Sequence, residues 1–429
     1  MLTLRDEATE GYDQVGMQKI PLRRNTGNAP LERWLRWANT LPTDVPCLWL
    51  HAASVGEALA AEPIVRRLKA RYGGLRVAHT HTSKSVSHWR GKLVADRSDF
   101  LPGFRRTSCA PLFAALRPRL LLLSRGDLWP GMLAEAHARG VPTVVTGAQI
   151  SRSSLRRKRP FRYVFSRVCR TIRWVGAVSD DDAAAWHNLG VPDEVIQVTG
   201  DPRDDFLIER TPDWASMAAL RRTFDNAPCV VAGSLEKADE GAVLTGFANV
   251  HRRYPESRLI VVPHNPSPST LARLERGAKQ LQLPAARWPD AAPSASAVTL
   301  VTVVGWLADL YALATIAYVG GGMRATGRIH SVAEPAVYGV PTLVGPGVHR
   351  SQEAHRFMAN EALIVLEKDV APSFSQHTIR MFENPTEACA RGLRARGVLA
   401  AGASQTSASR IREILEETNP GRERSRLRT

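Results

Sequence analysis

Five cysteines, Cys47, Cys109, Cys169, Cys229 and Cys389, lie far apart without a CxxC pair, and no histidines cluster at metal-ligand spacing. That speaks against a disulfide framework or structural zinc and suits a reducing cytoplasm. No run of about 18 apolar residues is present to span a bilayer. The N-terminus, MLTLRDEATEGYDQ, carries acidic residues where a signal peptide needs an apolar stretch, so the chain reads as soluble or peripheral. Short repeats, heptads and low-complexity tracts are missing, as are GxGxxG and Walker loops. No nucleic-acid recognition motif occurs either, which argues against a nucleic-acid partner.

Apolar material is plentiful by contrast. Hydrophobic residues make up 44% and charged residues 23% of 429, values of a globular protein long enough for two or three domains. Lys and Arg outnumber Asp and Glu by 57 to 41, for a net charge of +16. Such a surplus draws polyanions: nucleic acid, anionic membrane or phosphorylated substrate. It is concentrated in residues 152–173 (RSSLRRKRPFRYVFSRVCRTIR) and in the tail GRERSRLRT, which reads as a solvated end. The first run is either a solvated helix face or, with its interleaved aromatics, a surface for anionic headgroups or acceptor phosphates.

Nine short apolar runs read as strands: residues 47–52, 75–80, 119–124, 143–148, 174–179, 229–234, 258–263, 316–321 and 342–346. Amphipathic stretches such as 57–72 and 133–139 lie between them. Continuous apolar strands alternating with helices imply parallel βαβ units, and nine strands exceed one doubly wound sheet. The polar, Pro-bearing segment after Gly200, DPRDDFLIERTPDW, suits a linker. This divides the chain into an N-terminal domain of residues 1–205, a second of 206–400, and a helix at 405–417 with the basic tail in 401–429. Two such domains form a cleft outside the carboxyl ends of their strands, so loops after strands are the candidate sites.

Three loops carry chemistry. After the first strand, Ser54 and Glu57 have capping-box spacing. Glu57 either caps a helix or, as a carboxylate facing the cleft, takes a proton from an attacking sugar hydroxyl. After the third strand, Asp127 either caps the helix begun by Trp129-Pro130 or is a second carboxylate in the same cleft. In the second half, Gly320-Gly321-Gly322 precede His330, Ser331 and Glu334. Glycines at a strand end let backbone N–H groups approach phosphate, and Ser331 and Glu334 repeat the capping-box spacing.

In order and spacing, from about residue 31 to 400, these loops resemble the bacterial transferases of 3-deoxy-D-manno-octulosonic acid (Kdo), which glycosylate lipid A precursors. LWLHAASVGEALAAEPIVRRL is similar to that family's HAxSVGE segment, and SRGDLWPGMLAEAHARGVPTVVTGAQIS to its ExELWP and NARLS region. GDPRDD stands for a GN-x-KFD turn and VVAGSLEKADE for AGSTHxGEE. YALATIAYVGGGMRATGRIHSVAEPAVYGVPTLVGP matches the block ending GGHNPLEPAxxGxPVLxGP.

The resemblance implies an α/β GT-B glycosyltransferase fold, two Rossmann-like doubly wound domains facing a cleft. It implies inverting transfer from CMP-Kdo to a phosphorylated glycolipid in lipopolysaccharide biosynthesis, without metal or cofactor. It also implies peripheral contact with the anionic inner membrane from the cytoplasm. Carried over by position, Glu57 is the base and Asp127 stands for a functional Glu. Ser234, Gly321, Gly322, His330, Ser331 and Glu334 fall to the donor, with Glu334 on the ribose hydroxyls, and Ser54, Gly56 and Arg152 to the acceptor. The departures are Asp127 for Glu, Leu235-Glu236 for Thr-His, Pro263-His264-Asn265-Pro266 for a PRHP-type sequence, and Ser331 for Asn. The family's N-terminal anchor helix has no counterpart in the sequence. These changes leave open a transferase of another nucleotide sugar, or an inactive nucleotide-binding relative.

Overall fold

A computed structural model describes residues 29–418 apart from 43–44, 85, 87–93, 151–153, 159–160, 225–226, 291–295, 324–326 and 328. Arg152, the N-terminal segment 1–28 and the basic tail lie outside the described residues.

Two seven-stranded sheets organise the chain. The first comprises β1 (Cys47–His51), β2 (Arg76–His81), β3 (Arg97–Phe100), β4 (Pro118–Ser124), β5 (Thr143–Ala148), β6 (Trp174–Ala177) and β7 (Ile196–Val198). The second holds β8 (Cys229–Leu235), β9 (Arg258–Pro263), β10 (Ala285–Trp288), β11 (Val298–Val301), β12 (Ile316–Val319), β13 (Thr342–Val344) and β14 (Ile364–Val365). All described pairings are parallel. The orders are β3-β2-β1-β4-β5-β6-β7 and β10-β11-β9-β8-β12-β13-β14, so each sheet reverses direction beside its first strand. Crevices open there, at the carboxyl ends of β1 and β4 and of β8 and β12.

All nine strands read from sequence are present. Central strands such as β1 (CLWLH), buried at every position, are covered by helices on both faces. Each sheet therefore has two apolar clusters, one per face. The C-terminal helix Ala403–Glu417 returns to the first sheet, where Ala408, Ile411, Ile414 and Leu415 pack with Leu48, Leu50, Ile64 and Trp174.

The expected linker is not an exposed one. Its first part is the helix Pro202–Ile208, capped by Asp201, and Asp201, Asp204 and Asp205 are all buried. Asp204 pairs with Arg356 at 3.0 Å and accepts from the Ala400 amide at 3.2 Å. Asp205 accepts from the amides of Gly402 (2.7 Å) and Ser404 (2.8 Å), at the start of the C-terminal helix. The acidic residues of this polar segment satisfy backbone groups of a chain returning almost two hundred positions later. Among the described residues no helix is long and apolar enough to cross a membrane.

Candidate active site

At the end of β1 the chain turns at Ser54 into the helix Val55–Arg71. Glu57 Oε2 accepts from the Ala53 amide at 2.5 Å, and Ser54 Oγ receives the Glu57 amide at 3.5 Å. The capping role read from sequence is therefore real, moved one residue upstream on the carboxylate side. It occupies one carboxylate oxygen only; Oε1 has no protein hydrogen bond among the described residues. Ser124 Oγ, on β4, donates to the Glu57 carbonyl at 2.6 Å and ties the helix start to the neighbouring strand. Burial, then the charge of Asp127, pushes the Glu57 carboxyl up to about 7, partly offset by His51, the Ala53 amide and Arg125. Nothing lies within 4 Å of where a side chain on Gly56 would begin, so space opens beside this turn.

Asp127 does not cap the following helix, whose N-cap is Trp129 without a side-chain bond. Its Oδ2 receives His51 Nε2 at 3.0 Å and the Trp129 indole at 3.0 Å, while Arg156 Nη2 stands 3.9 Å from Oδ1. Burial opposes ionisation of this carboxyl, but the His51 and Trp129 hydrogen bonds and the Arg156 charge outweigh it and hold it low. Two neighbouring carboxyl groups are thus driven apart, Glu57 up and Asp127 down, the arrangement that separates a base from a supporting charge. Arg156 is consequently not part of a solvated run. It is largely buried, donates to the Gly126 carbonyl and lies over the Phe165 ring.

Arg125 was missed in the sequence. It sits at the end of β4 with φ of +64°, a conformation costing a non-glycine residue about 1 kcal/mol, compensated by its side-chain bonds. The guanidinium binds Gln149 and, at 2.9 Å, Asp201. It carries the strand end onto the helix Pro202–Ile208. From that helix Arg203 reaches Glu334 at 2.8 Å and stands 3.9 Å from Glu353, so one line of charges joins the two halves.

In the second half the glycines serve backbone packing. Any side chain on Gly320 would collide with the Ser234 carbonyl, and one on Gly322 would meet Gly345 N at 2.7 Å. The Gly321 amide does not face an open phosphate site; it donates to Asp239 Oδ2 at 2.9 Å, and the Tyr318 hydroxyl donates to Oδ1 at 2.9 Å. Ser331 and Glu334 do not form a capping box. Glu353 accepts from the amides of Val332 (2.6 Å) and Ala333 (3.1 Å) and from Ser331 Oγ (3.0 Å), leaving Glu334 to Arg203. His330 bonds Glu236 at 3.1 Å, and its ring centre is 4.6 Å from that of the exposed His264. Burial, then His264, lowers the His330 imidazole. Ser234, at φ +49°, closes β8 beside Gly320. Among the described residues no group of three His, Cys, Asp or Glu could hold a metal ion.

A family model described as 3-deoxy-D-manno-octulosonic-acid transferase (kdotransferase) matches residues 29–206, the half that carries Glu57 and Asp127. Curated relatives extend the match. The Haemophilus influenzae 3-deoxy-D-manno-octulosonic acid transferase is 24% identical over 79% of this chain and 80% of its own. That of Chlamydophila psittaci is 28% identical over 76% of each. The chain is thus similar in sequence to the Kdo transferases, a family of glycosyltransferases. Solved structures agree on the two-domain GT-B fold. The UDP-GlcNAc 2-epimerase of Neisseria meningitidis superposes with a TM-score of 0.62 over 87% of this chain and all of its own, at 15% identity. A Listeria monocytogenes protein described as a UDP-N-acetylglucosamine 2-epimerase gives 0.61 over 87% and 97%, at 11% identity. The segments that resemble Kdo transferases thus follow the carboxyl ends of β1, β4, β8 and β12.

Proposed function

We propose that the chain transfers Kdo, with inversion, from CMP-Kdo to a phosphorylated lipid A precursor, using Glu57 as general base. The observation that carries this reading is the position of Glu57: a carboxylate with one oxygen uncommitted, raised to about 7, at the switch point of a Kdo-transferase-like domain. Above its pKa the carboxylate takes the proton of the acceptor hydroxyl as that oxygen attacks the anomeric carbon. The bond to phosphate breaks on the opposite face and CMP departs. The exposed His264, which follows β9 directly, would donate a hydrogen bond to the departing phosphate, while the N–H of His330 is held by Glu236. Glu334 would bind the donor hydroxyls and share its carboxylate with Arg203.

A peripheral seat on the cytoplasmic face of the inner membrane belongs to the same reading. It is supported by exposed Arg157, Lys158, Arg162, Arg167 and Arg170 beside Tyr163, which is 66% exposed. A transferase of another nucleotide sugar is the second reading; for either donor the amides after Ser331 are no phosphate site, because the Glu353 carboxylate occupies them. Mass spectrometry of a reaction with CMP-Kdo and a lipid A precursor tests the proposal. An acceptor gaining one or more Kdo units supports it, and product formed only from another nucleotide sugar replaces it. Calorimetric titration with CMP and UDP separates the second reading, since binding of UDP alone rules out CMP-Kdo as donor.

A further inference from the structure

We propose that His51 is a positioning residue of the transfer site: a neutral imidazole, protonated on Nε2, that holds Asp127 as a carboxylate beside Glu57. The inference rests on the reading of Glu57 as base and concerns a side chain to which that reading assigns no role.

The direction of each hydrogen bond follows from its first donor. Trp49 Nε1 has only a proton to give, so Thr80 Oγ1 accepts at 2.8 Å. The single threonine hydroxyl proton is then available to His51 Nδ1, 2.9 Å away. Nδ1 becomes an acceptor, the ring proton lies on Nε2, and Nε2 donates to Asp127 Oδ2 at 3.0 Å. Trp129 donates to the same oxygen from the other side at 3.0 Å. An imidazolium would need both ring nitrogens to donate, so that Thr80 Oγ1 accepted twice and its own hydroxyl proton had no acceptor among the described residues. His51 is fully buried and Asp127 nearly so, which makes an unmatched proton costly there.

Two further histidines belong to the same region. His79, from β2, is pushed down to about 3 by burial, and His81 on the same strand is lowered for the same reason. Both are uncharged near pH 7. Glu57, on the helix Val55–Arg71, is within electrostatic reach of His51, Asp127 and Arg125, and Arg156 Nη2 stands 3.9 Å from Asp127 Oδ1. With His51 neutral, the opposing contribution of its ring to the Glu57 carboxyl falls away, leaving burial and Asp127 to raise that carboxyl against the Ala53 amide and Arg125.

Two variants of the full chain separate positioning from mere packing. His51→Gln keeps an uncharged N–H donor for Asp127, whereas His51→Leu removes the donor. Transfer is followed by mass spectrometry from pH 5.5 to 9. The expected result is a roughly 30-fold or greater loss of kcat in His51→Leu at unchanged donor KM, with most of that loss recovered in His51→Gln. In His51→Gln the acid limb of kcat should stay within about 0.3 pH units of wild type. A limb displaced upward by about one unit means that the native ring is positively charged, and overturns the proposal. A Leu variant as fast as wild type does the same. Should His51→Leu not fold, the ring proton is read in the wild-type chain by nitrogen-15 histidine NMR, the His51 signals being those lost in His51→Gln. An Nε2–H tautomer at pH 7 supports the proposal, and an Nδ1–H or doubly protonated ring overturns it. That measurement needs no substrate. A chain that makes no product from CMP-Kdo therefore sinks the functional reading, while the ring decides this one.

Discussion

Glu57 stands where two demands meet, because a helix start wants an acceptor and an attacking hydroxyl wants a base. One carboxylate serves both by committing Oε2 to the Ala53 amide. Glu57→Gln keeps an acceptor for that amide but cannot take a proton, so turnover should fall about 100-fold or more at unchanged nucleotide affinity. Steady-state kinetics with calorimetry reads both, and full activity would leave Glu57 as a cap alone. The same variant makes a prediction about stability. A carboxyl at about 7 in the fold, against an ordinary 4.5, binds its proton more tightly when folded. Its contribution is therefore fully present below pH 4.5 and lost as pH rises through 7. Glu57→Gln should accordingly be more stable than wild type at pH 8, by roughly 1–3 kcal/mol, and similar at pH 4.5. Thermal unfolding at both pH values checks it; an equal shift at both would mean that ionisation is not the cause. Glu57 was legible because its cap lies within four residues. The partner of Glu334 was not, since Arg203 stands 131 positions away, nor was the replacement of its expected cap by Glu353.

At the scale of elements, continuous apolar runs marked the interior strands, where burial on both faces leaves no alternation. Four of the five unread strands, β3, β7, β10 and β14, are sheet edges, half-covered and short. The fifth, β11, is interior but only four residues long and broken by the buried Thr299. The helix Pro202–Ile208, inside the segment read as a linker, went unread for a related reason. Its acidic residues are buried because they satisfy backbone amides and arginines brought up from elsewhere, information that local composition does not contain. Asp205 is the clearest case, binding two amides at the start of the C-terminal helix. Asp205→Ala leaves both amides unpaired and should cost about 2–4 kcal/mol, at about 1–2 for each. Hydrogen exchange should show protection lost first in the helix Ala403–Glu417. Uniform loss across both sheets would indicate instead that this helix is inseparable from the global fold.

For the whole molecule, the net charge of +16 is spread unevenly. Much of the arginine content is paired in the fold: Arg125 with Asp201, Arg203 with Glu334, Arg356 with Asp204 and Arg173 with Glu417. Arg156 is turned inward to Asp127, so neutralising it would damage the candidate site and say nothing about the surface. Arg157, Lys158, Arg162 and Arg170 are exposed and form no described ion pair. Arg162 and Arg170 also line a surface cavity of about 300 Å³ with Tyr163, Ser166, His187 and Asn188. Each such charge near an anionic bilayer is worth about 1 kcal/mol, and the attraction fades within a Debye length of about 8–10 Å. Changing these four residues together to Gln should therefore abolish most binding to vesicles rich in anionic lipid, while circular dichroism and melting temperature stay near wild type. The wild-type chain should sediment with such vesicles at low salt, release at high salt, and ignore neutral vesicles. Binding indifferent to salt and to the fourfold change would place the contact on another face. Binding equal on neutral vesicles would mean that apolar insertion, rather than charge, holds the protein at the surface.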